Sequence, residues 1–500
     1  MKLLPLGALM VAPLLCTGQN LKEFEKRVTE FKLANGMNFI VLERHDAPVV
    51  AFNMFANVGT ADDPAGQSSM AHMFEHMIGK GTTTIGTSNW QAESKALARV
   101  EQIYDQLQAE RNKGGTGDQK LKELEASFKD AVETANTYVD QNAYPRVIEE
   151  MGGEGFNAST ANDYTNYYYN LPANKTELWF LLSSEWLKRP VFREFYKERD
   201  VVREERRMRV ESSTQGKLME LLVGTAFMAH PYRNLIGWAS EIENLRAKDA
   251  EEFFQKYYGP SNITVAVVGD VNTAEVKKFA EKYFGPIPSR TAPPPVSIVE
   301  PKQEGEKRAT LASAAQPILM IGYKRPNQNH RDDVVFDVIA SLLSSGRTGV
   351  LYKDLVRDKK IALAAQAGAT FPSGKYPNLF VIFSVPTPGS SVAENEKAVY
   401  AAIERLKTEK VDATSLQRVK TKLRASLVRQ LDSNSGLAQQ LPLYETMYGD
   451  WRVMFTGFDD IDKVTAEDVQ RVVREYFNES QRTVAHTVKP SQQAEKKAAE

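Results

Sequence analysis

The sequence contains almost no cysteine, and this limits the kinds of site that it can build. Of 500 residues only Cys16 is a cysteine, so one chain forms neither a disulfide framework nor a cysteine-rich metal site. Histidine is scarce as well, with 6 in the whole chain. Any metal site within one chain must therefore use histidine, aspartate or glutamate.

The sequence also lacks an excess of charge of one sign and a long hydrophobic run. The formal net charge is −1 at pH 7, which gives no reason to expect nucleic acid or an anionic membrane as a partner. The apolar stretch 3–15 is too short to span a bilayer comfortably, so no integral membrane span is predicted.

The N-terminal residues predict a signal peptide over 1–18. A lysine precedes the apolar stretch, and small residues follow it, with a cut expected after Gly18. We therefore expect secretion across the inner membrane into the periplasm. The alternatives are a buried N-terminal helix, which two prolines would interrupt, and a lipid anchor on Cys16, which the bulky Leu15 disfavours.

Composition along the chain predicts two domains. A proline-rich stretch, 286–302, is typical of a stiff linker. It separates an N-terminal domain, 22–285, from a C-terminal domain, 303–490. Helical periodicity over 91–145 predicts a helical-hairpin insertion, which is either an independent insertion or a docking arm. The polar residues 491–500 predict a disordered tail.

The two domains carry a repeated pattern. A predicted helix, turn and strand at 247–266 recurs at 466–485 with a constant offset of 219 residues. This repeat favours duplication of an α/β domain. Strand-like stretches at 31–42, which contains an Asn35-Gly36 turn, and at 49–58 precede the first copy. The predicted class is α+β: two related α/β domains, each a mixed sheet flanked by helices.

The strongest chemical signal is the motif His72-Met-Phe-Glu75-His76. On a helix, His72 and His76 lie one turn apart on the same face and can hold one metal ion. This order of residues is the H-x-x-E-H pattern of the inverzincins. The alternative is a pair of surface histidines beside a helical glutamate. If zinc is bound, Glu75 is placed to act as general base towards water.

A catalytic zinc site needs a third protein ligand. Glu198 and Glu205 lie seven residues apart on a predicted acidic helix and so share one face. One of them could bind the metal while the other orients a ligand. The alternative is a solvated charged helix.

The quoted motifs resemble the pitrilysin/insulysin family of zinc metallopeptidases. The segment 71–82 resembles the zinc-site helix of that family, 155–167 its substrate-side strand, 198–205 the helix of its third ligand, and 230–237 a further marker. The resemblance runs through nearly the whole chain after residue 18. It implies an enzyme of half-clamshell form that carries one zinc ion per chain.

The resemblance also implies roles for individual residues. His72, His76 and Glu205 would bind zinc, Glu75 would be the general base, and Glu198 would support a ligand. In addition, Asn157 and Ala158 would lie on an edge strand that pairs with the substrate backbone. Read without the resemblance, the same segment is an ordinary strand or a glycosylation sequon.

The sequence departs from the family pattern at one pair of residues. The family uses an Arg and a Tyr seven residues apart to hold the substrate carbonyl; here Arg357 is present but the second position is Ala364. Arg357 is therefore expected either to contact substrate or to be a surface charge. We expect a zinc-less homologous subunit to supply the pair in a heterodimer, with a homodimer as the alternative.

The predicted function is zinc-dependent endopeptidase activity on peptides or unfolded segments. The alternative is a non-catalytic structural or peptide-binding subunit of a heteromeric complex. A presequence-processing peptidase shares the chemistry, but the leader is not typical of an organellar targeting segment.

Overall fold

The structure is a computed structural model, and it describes residues 24–113 and 119–490. The predicted signal peptide, the glycine-rich tip of the hairpin at 114–117 and the predicted tail at 491–500 lie outside these residues.

The described residues form two sheets and a series of helices. The strands are β1 (Val28–Lys32), β2 (Asn38–Glu43), β3 (Val49–Ala56), β4 (Glu154–Thr160), β5 (Thr165–Pro172), β6 (Ile263–Gly269), β7 (Lys307–Ala312), β8 (Leu319–Arg325), β9 (Ala362–Phe371), β10 (Asn378–Pro386) and β11 (Arg482–Val488). The helices of the first half are α1 (Met70–His76), α2 (Trp90–Arg111), α3 (Gln119–Asn136), α4 (Ala143–Glu150), α5 (Thr176–Lys188), α6 (Phe195–Arg206), α7 (Thr214–Ala226), α8 (Ala239–Ile242), α9 (Ala247–Tyr257) and α10 (Thr273–Tyr283). Those of the second half are α11 (Asp333–Ser344), α12 (Val392–Thr408), α13 (Ala413–Gln430), α14 (Asn434–Tyr448), α15 (Val453–Lys463) and α16 (Ala466–Tyr476).

The first sheet has the strand order β1-β2-β6-β3-β5-β4. Only β2 and β6 run parallel, and every other neighbouring pair is antiparallel. The β1–β2 hairpin and strand β3 confirm the strands predicted around Asn35-Gly36 and at 49–58. Within the part of the chain that the structure describes, strand β4 has β5 as its one neighbour and forms an open edge of the sheet.

The central strands are apolar on both faces because both faces are covered. In β2, Phe39 and Val41 belong to the main core of the first half, whereas Ile40 and Leu42 face a second cluster. Successive side chains of a strand point to opposite faces, so a continuous hydrophobic run is what a sheet covered on both sides requires.

The second sheet repeats the first, which confirms the predicted class of two related α/β domains. Its order is β7-β11-β8-β10-β9, with β7 and β11 parallel. Helix α9 and strand β6 correspond to α16 and β11 at the offset of 219 residues seen in the sequence. In each sheet the last strand of the repeat lies between a parallel and an antiparallel neighbour.

Each domain covers the sheet of the other with one helix. Helix α7, from the first half, packs on β7, β8 and β11, while α14, from the second half, packs on β3 and β6. Both helices start alike: the hydroxyls of Ser213 and Ser433 accept hydrogen bonds from the N–H groups of Gly216 and Gly436. A Cβ at either glycine would lie 2.0 Å from a backbone carbonyl oxygen, so both close turns require glycine.

Residues 91–145 hold most of α2, the whole of α3 and the start of α4. Helices α2 and α3 pack against each other, and a separate helix, α4, follows. Residues 286–302 contain neither helix nor strand. Within residues 24–113 and 119–490, no helix combines the length and hydrophobicity needed to cross a membrane.

Candidate metal site

Helix α1 presents the motif residues on one face because its other face is buried. Met70, Ala71, Met73 and Phe74 are inaccessible to solvent and pack in the core. The Asp63 carboxylate accepts hydrogen bonds from the backbone N–H groups of Ser69 (2.7 Å) and Ala71 (2.8 Å). These are donors that a helix start leaves unsatisfied, so Asp63 fixes where α1 begins.

Three side chains from α1 and α6 converge on one point. Glu205 Oε2 lies 3.6 Å from His72 Nε2, and Glu205 Oε1 lies 3.6 Å from His76 Nε2. One nitrogen or oxygen from each residue lies within 4.8 Å of the others, and no other such group of three exists in the described part of the chain. Two imidazoles and one carboxylate are a ligand set that leaves a fourth zinc position open.

The chemistry of these side chains fits a divalent cation. Glu205 Oε2 is buried and forms no hydrogen bond within the described residues, although Arg209 Nη2 lies 3.2 Å from it. A buried oxygen without a hydrogen bond can accept a further ligand. Burial, together with the nearby His76 and Arg209, lowers the pKa of His72 to about 3. His72 is therefore neutral at ordinary pH, the form in which imidazole binds metal.

Glu198 lies behind the site and orients His76. Its Oε2 is 3.4 Å from His76 Nδ1, and Lys80 Nζ donates to its Oε1 at 2.6 Å. Burial alone would raise the pKa of Glu198, but the hydrogen bonds from His76 and Lys80 lower it to about 2. A charged Glu198 accepts a hydrogen bond from the Nδ1–H group of His76 and leaves Nε2 of His76 free towards Glu205. The sequence left open which glutamate faces the histidines; the structure places Glu205 there.

Lys80 is a functional candidate that the sequence analysis did not assign. Because its ammonium group holds Glu198 charged and in place, replacing Lys80 by methionine is expected to weaken zinc binding by about tenfold. The dissociation constant can be measured by competition with a chromogenic chelator. Lys197→Met is the matched control, since Lys197 pairs with Glu194, the other partner of Lys80, and not with Glu198. Equal zinc affinities of the two variants would contradict this role.

Glu75 and the edge strand β4 line one cavity beside the converging side chains. The cavity has a volume of about 570 Å³ and includes His72, His76 and Glu205 in its wall. Burial raises the pKa of Glu75, which favours proton uptake by this carboxylate. Asn157 and Ala158 line the same cavity. The structure therefore brings together the predicted ligands, the predicted base and the predicted substrate strand.

The open edge of β4 has a backbone donor that the sheet does not use. The Ala158 N–H group donates to the Asn157 side chain at 2.8 Å, and Asn157 is exposed. Each unpaired donor along a sheet edge is a position where an extended peptide can add a strand.

Arg193 connects the two helices of the site to the hairpin, and the sequence analysis missed it. Its side chain, 1% exposed, pairs with the fully buried carboxylate of Glu93 in α2 at 2.7 Å. The same guanidinium donates to the backbone carbonyls of Lys80, Thr82 and Ile85. The segment after α1 is thus tied to the start of α6, which Arg193 precedes by two residues. No local pattern indicates this contact, because Glu93 and Arg193 are 100 residues apart.

The segment 230–237 lines part of the cavity with Leu235 and Ile236, and the residues that follow it support the start of α1. The backbone N–H of Trp238 donates to Ser68 Oγ, and Glu241 accepts from the Ser68 N–H. His230 itself is buried outside the cavity wall and accepts a hydrogen bond from the Tyr232 N–H.

Arg357 is not part of this assembly within the single chain. It is 57% exposed, bonds its neighbour Asp358 and does not line the cavity. Ala364 lies in β9, opposite Val385 of β10. A role of Arg357 towards substrate therefore stays a prediction.

Two matches with known families cover more than half of the chain. Residues 131–237 match Insulinase (Peptidase family M16), and residues 244–423 match the Peptidase M16 inactive domain. The first match contains Glu198 and Glu205 and starts after the His72–His76 motif.

Relatives and solved structures extend the similarity over most of the chain. The zinc protease PqqE of Helicobacter pylori is 26% identical over 465 residues, 90% of each chain. A protease structure from Helicobacter pylori superposes with a TM-score of 0.77 at 24% identity, covering 92% of this chain and 99% of that one. The periplasmic protease PqqL from Escherichia coli superposes with a TM-score of 0.69 at 14% identity, covering 94% of this chain and 48% of that one.

These similarities place the chain among zinc protease-like proteins. More narrowly, it belongs to the insulinase family, peptidase family M16, and it has the length of about half of PqqL.

Proposed function

We propose that this chain is a zinc-dependent endopeptidase that hydrolyses peptides or unfolded segments bound as an added strand on β4. The observation that carries this proposal is the convergence of His72, His76 and Glu205 beside an open sheet edge. Glu205 Oε2, which is buried and forms no hydrogen bond within the described residues, supports a cation at that point. His72, His76 and Glu205 would hold one zinc ion per chain.

The residues of the chain divide the chemistry between them. A bound zinc ion supplies Lewis-acid activation of water and of the peptide carbonyl. Glu75 accepts a proton from the attacking water and returns it to the leaving amine, a task that its raised pKa favours. Glu198 holds His76 through Nδ1, so that the imidazole keeps one tautomer and one orientation.

Substrate binding is proposed to occur through the backbone of β4. A peptide that adds to this edge would form main-chain hydrogen bonds and take the place of the Asn157 side chain at the Ala158 N–H group. Such binding depends little on side chains, and this explains why unfolded segments of varied sequence would be accepted.

A second subunit is proposed to complete the active chamber. The chain spans 48% of PqqL, and Arg357 does not reach the cavity beside Glu75. A zinc-less homologous subunit would supply an Arg/Tyr pair, since Ala364 occupies the Tyr position here; a second copy of this chain is the alternative. Export through the predicted signal peptide would place the complex in the periplasm, the compartment of the similar periplasmic protease PqqL.

The second candidate function is that of a non-catalytic, peptide-binding subunit. The match of residues 244–423 to a domain described as inactive favours it. The complete set of ligands and the half-buried Glu75 in the first domain favour the enzyme.

The proposal is tested by metal analysis and peptide cleavage of the purified chain, alone and with any partner that co-purifies. We expect one zinc ion per chain, loss of cleavage when zinc is removed with a chelator, and recovery when zinc is restored. Zinc-loaded protein that cleaves no unstructured peptide, alone or with its partner, would support the non-catalytic function instead.

A further inference from the structure

The cavity beside the candidate metal site contains one cationic side chain without a role in the mechanism above. Among its lining residues, Arg209 is the one lysine or arginine. Its Nη2 lies 3.2 Å from Glu205 Oε2, and its side chain is 62% exposed. Within the described residues the ion pair with Glu205 is the one polar contact of this guanidinium, so the donors that do not face Glu205 are available to a ligand.

The local backbone directs Arg209 towards the cavity and its neighbour Arg207 away from it. Both residues lie in a π-helical turn, Arg207–Glu211, which continues α6. The side chain of Arg207 forms two hydrogen bonds to the carboxylate of Glu204 and does not line the cavity. Both arginine side chains are mostly exposed, but only Arg209 lines the cavity. Arg207 is therefore a matched control.

The wall of the cavity that Arg209 lines also includes four apolar residues. They are Ile78, Phe156, Leu235 and Ile236. A guanidinium in such a wall, with donors besides the one that faces Glu205, binds a carboxylate through two parallel N–H···O bonds better than it binds any neutral group.

We propose that Arg209 selects peptides that carry a carboxylate close to the bond to be cleaved. This inference rests on the proposed function. The carboxylate is either an Asp or Glu side chain or the free C-terminus of the peptide, and both offer the same chemistry. Arg209 is a specificity residue and not a donor to the developing oxyanion, because an oxyanion donor must be fixed and shielded from water, whereas Arg209 is mostly exposed.

The test measures binding separately from hydrolysis. Zinc-loaded Glu75→Gln protein, with Arg209 intact or changed to Ala, is titrated with fluorescent peptides in which one Glu moves along a neutral sequence. Each peptide has a Gln counterpart, and each is made with a free and with an amidated C-terminus. We expect about tenfold tighter binding of at least one acidic peptide over its counterpart, and a difference below about twofold in Arg209→Ala.

The control and the salt dependence make the result specific. Arg207→Ala should keep the full preference, and high salt should reduce the preference of the unchanged protein, because the pair is exposed. The position of the effective Glu, or its dependence on amidation, identifies the source of the carboxylate.

Three results would overturn the proposal. The first is the absence of any preference for a carboxylate in the unchanged protein. The second is an equal loss of affinity for acidic and neutral peptides in Arg209→Ala, which would assign Arg209 to the orientation of Glu205. The third is the same change in Arg207→Ala. Peptide hydrolysis by the unmodified chain is measured separately. Cleavage without a preference for a carboxylate in the peptide would contradict only this inference. A preference for a carboxylate in binding, without cleavage, would contradict only the proposed function.

Discussion

Replacing Glu75 by glutamine is expected to lower kcat for peptide hydrolysis by about 10³-fold while zinc content stays unchanged. Glu75 lies on α1 with the two histidines and lines the cavity, but it does not belong to the group of converging ligand atoms. Glutamine keeps the size of the side chain and cannot accept the proton. The measurement is steady-state cleavage of an unstructured peptide, with zinc determined on the same sample.

The matched control for this variant is Glu204→Gln. Glu204 precedes the proposed ligand Glu205, but it bonds Arg207 outside the cavity, so its removal should leave kcat within about twofold. Retention of hydrolysis by Glu75→Gln would rule out Glu75 as the base. Loss of zinc from the same variant would instead make Glu75 a ligand.

Replacing Glu93 by alanine is expected to lower the free energy of unfolding by about 3–5 kcal/mol. The change leaves the Arg193 guanidinium buried without its counter-charge. Because Arg193 also holds the carbonyls of Lys80, Thr82 and Ile85, the segment that follows α1 should loosen and zinc affinity should fall. Denaturant unfolding followed by fluorescence measures the first effect, and chelator competition the second.

A second glutamate of the hairpin provides the comparison. Glu133 pairs with Lys129 at 3.9 Å, and both side chains are largely exposed, so Glu133→Ala should cost less than about 0.5 kcal/mol. If Glu93→Ala cost less than about 1 kcal/mol, the hairpin would be an appendage without a part in supporting the metal site.

The parts of the site that follow from local spacing were predictable from the sequence. Two histidines four residues apart share a helix face wherever that helix forms, so His72 and His76 needed no tertiary information. The duplication was predictable for a similar reason, since a constant offset of 219 residues survives in both copies of one helix, turn and strand.

The spacing of Glu198 and Glu205 carried less information. Seven residues on a helix place both carboxylates on one face, but the choice of ligand depends on how α6 crosses α1. In the structure, Glu205 meets the Nε2 atoms of both histidines, and Glu198 meets Nδ1 of His76.

The contacts that support the site could not be predicted, because their partners are far apart in the chain. Lys80 meets Glu198 across 118 residues, and Arg193 meets Glu93 across 100. An ion pair between residues so far apart in the chain depends on tertiary packing and leaves no periodic pattern in the sequence. The packing of α7 and α14, each on the sheet of the other domain, also joins residues that are far apart in the chain and was not predictable.

The exchange of α7 and α14 has a consequence for the origin of the fold. In a single ancestral unit, the helix that corresponds to α7 or α14 would not have covered the sheet of the same unit. One apolar face of that sheet would then have been exposed to water, at positions such as Ile40, Leu42 and Ala51. Two identical ancestral chains would each have satisfied the other by swapping that helix. Fusion of such a swapped dimer into one gene would yield the arrangement seen here, in which each half still lends one helix to the sheet of the other.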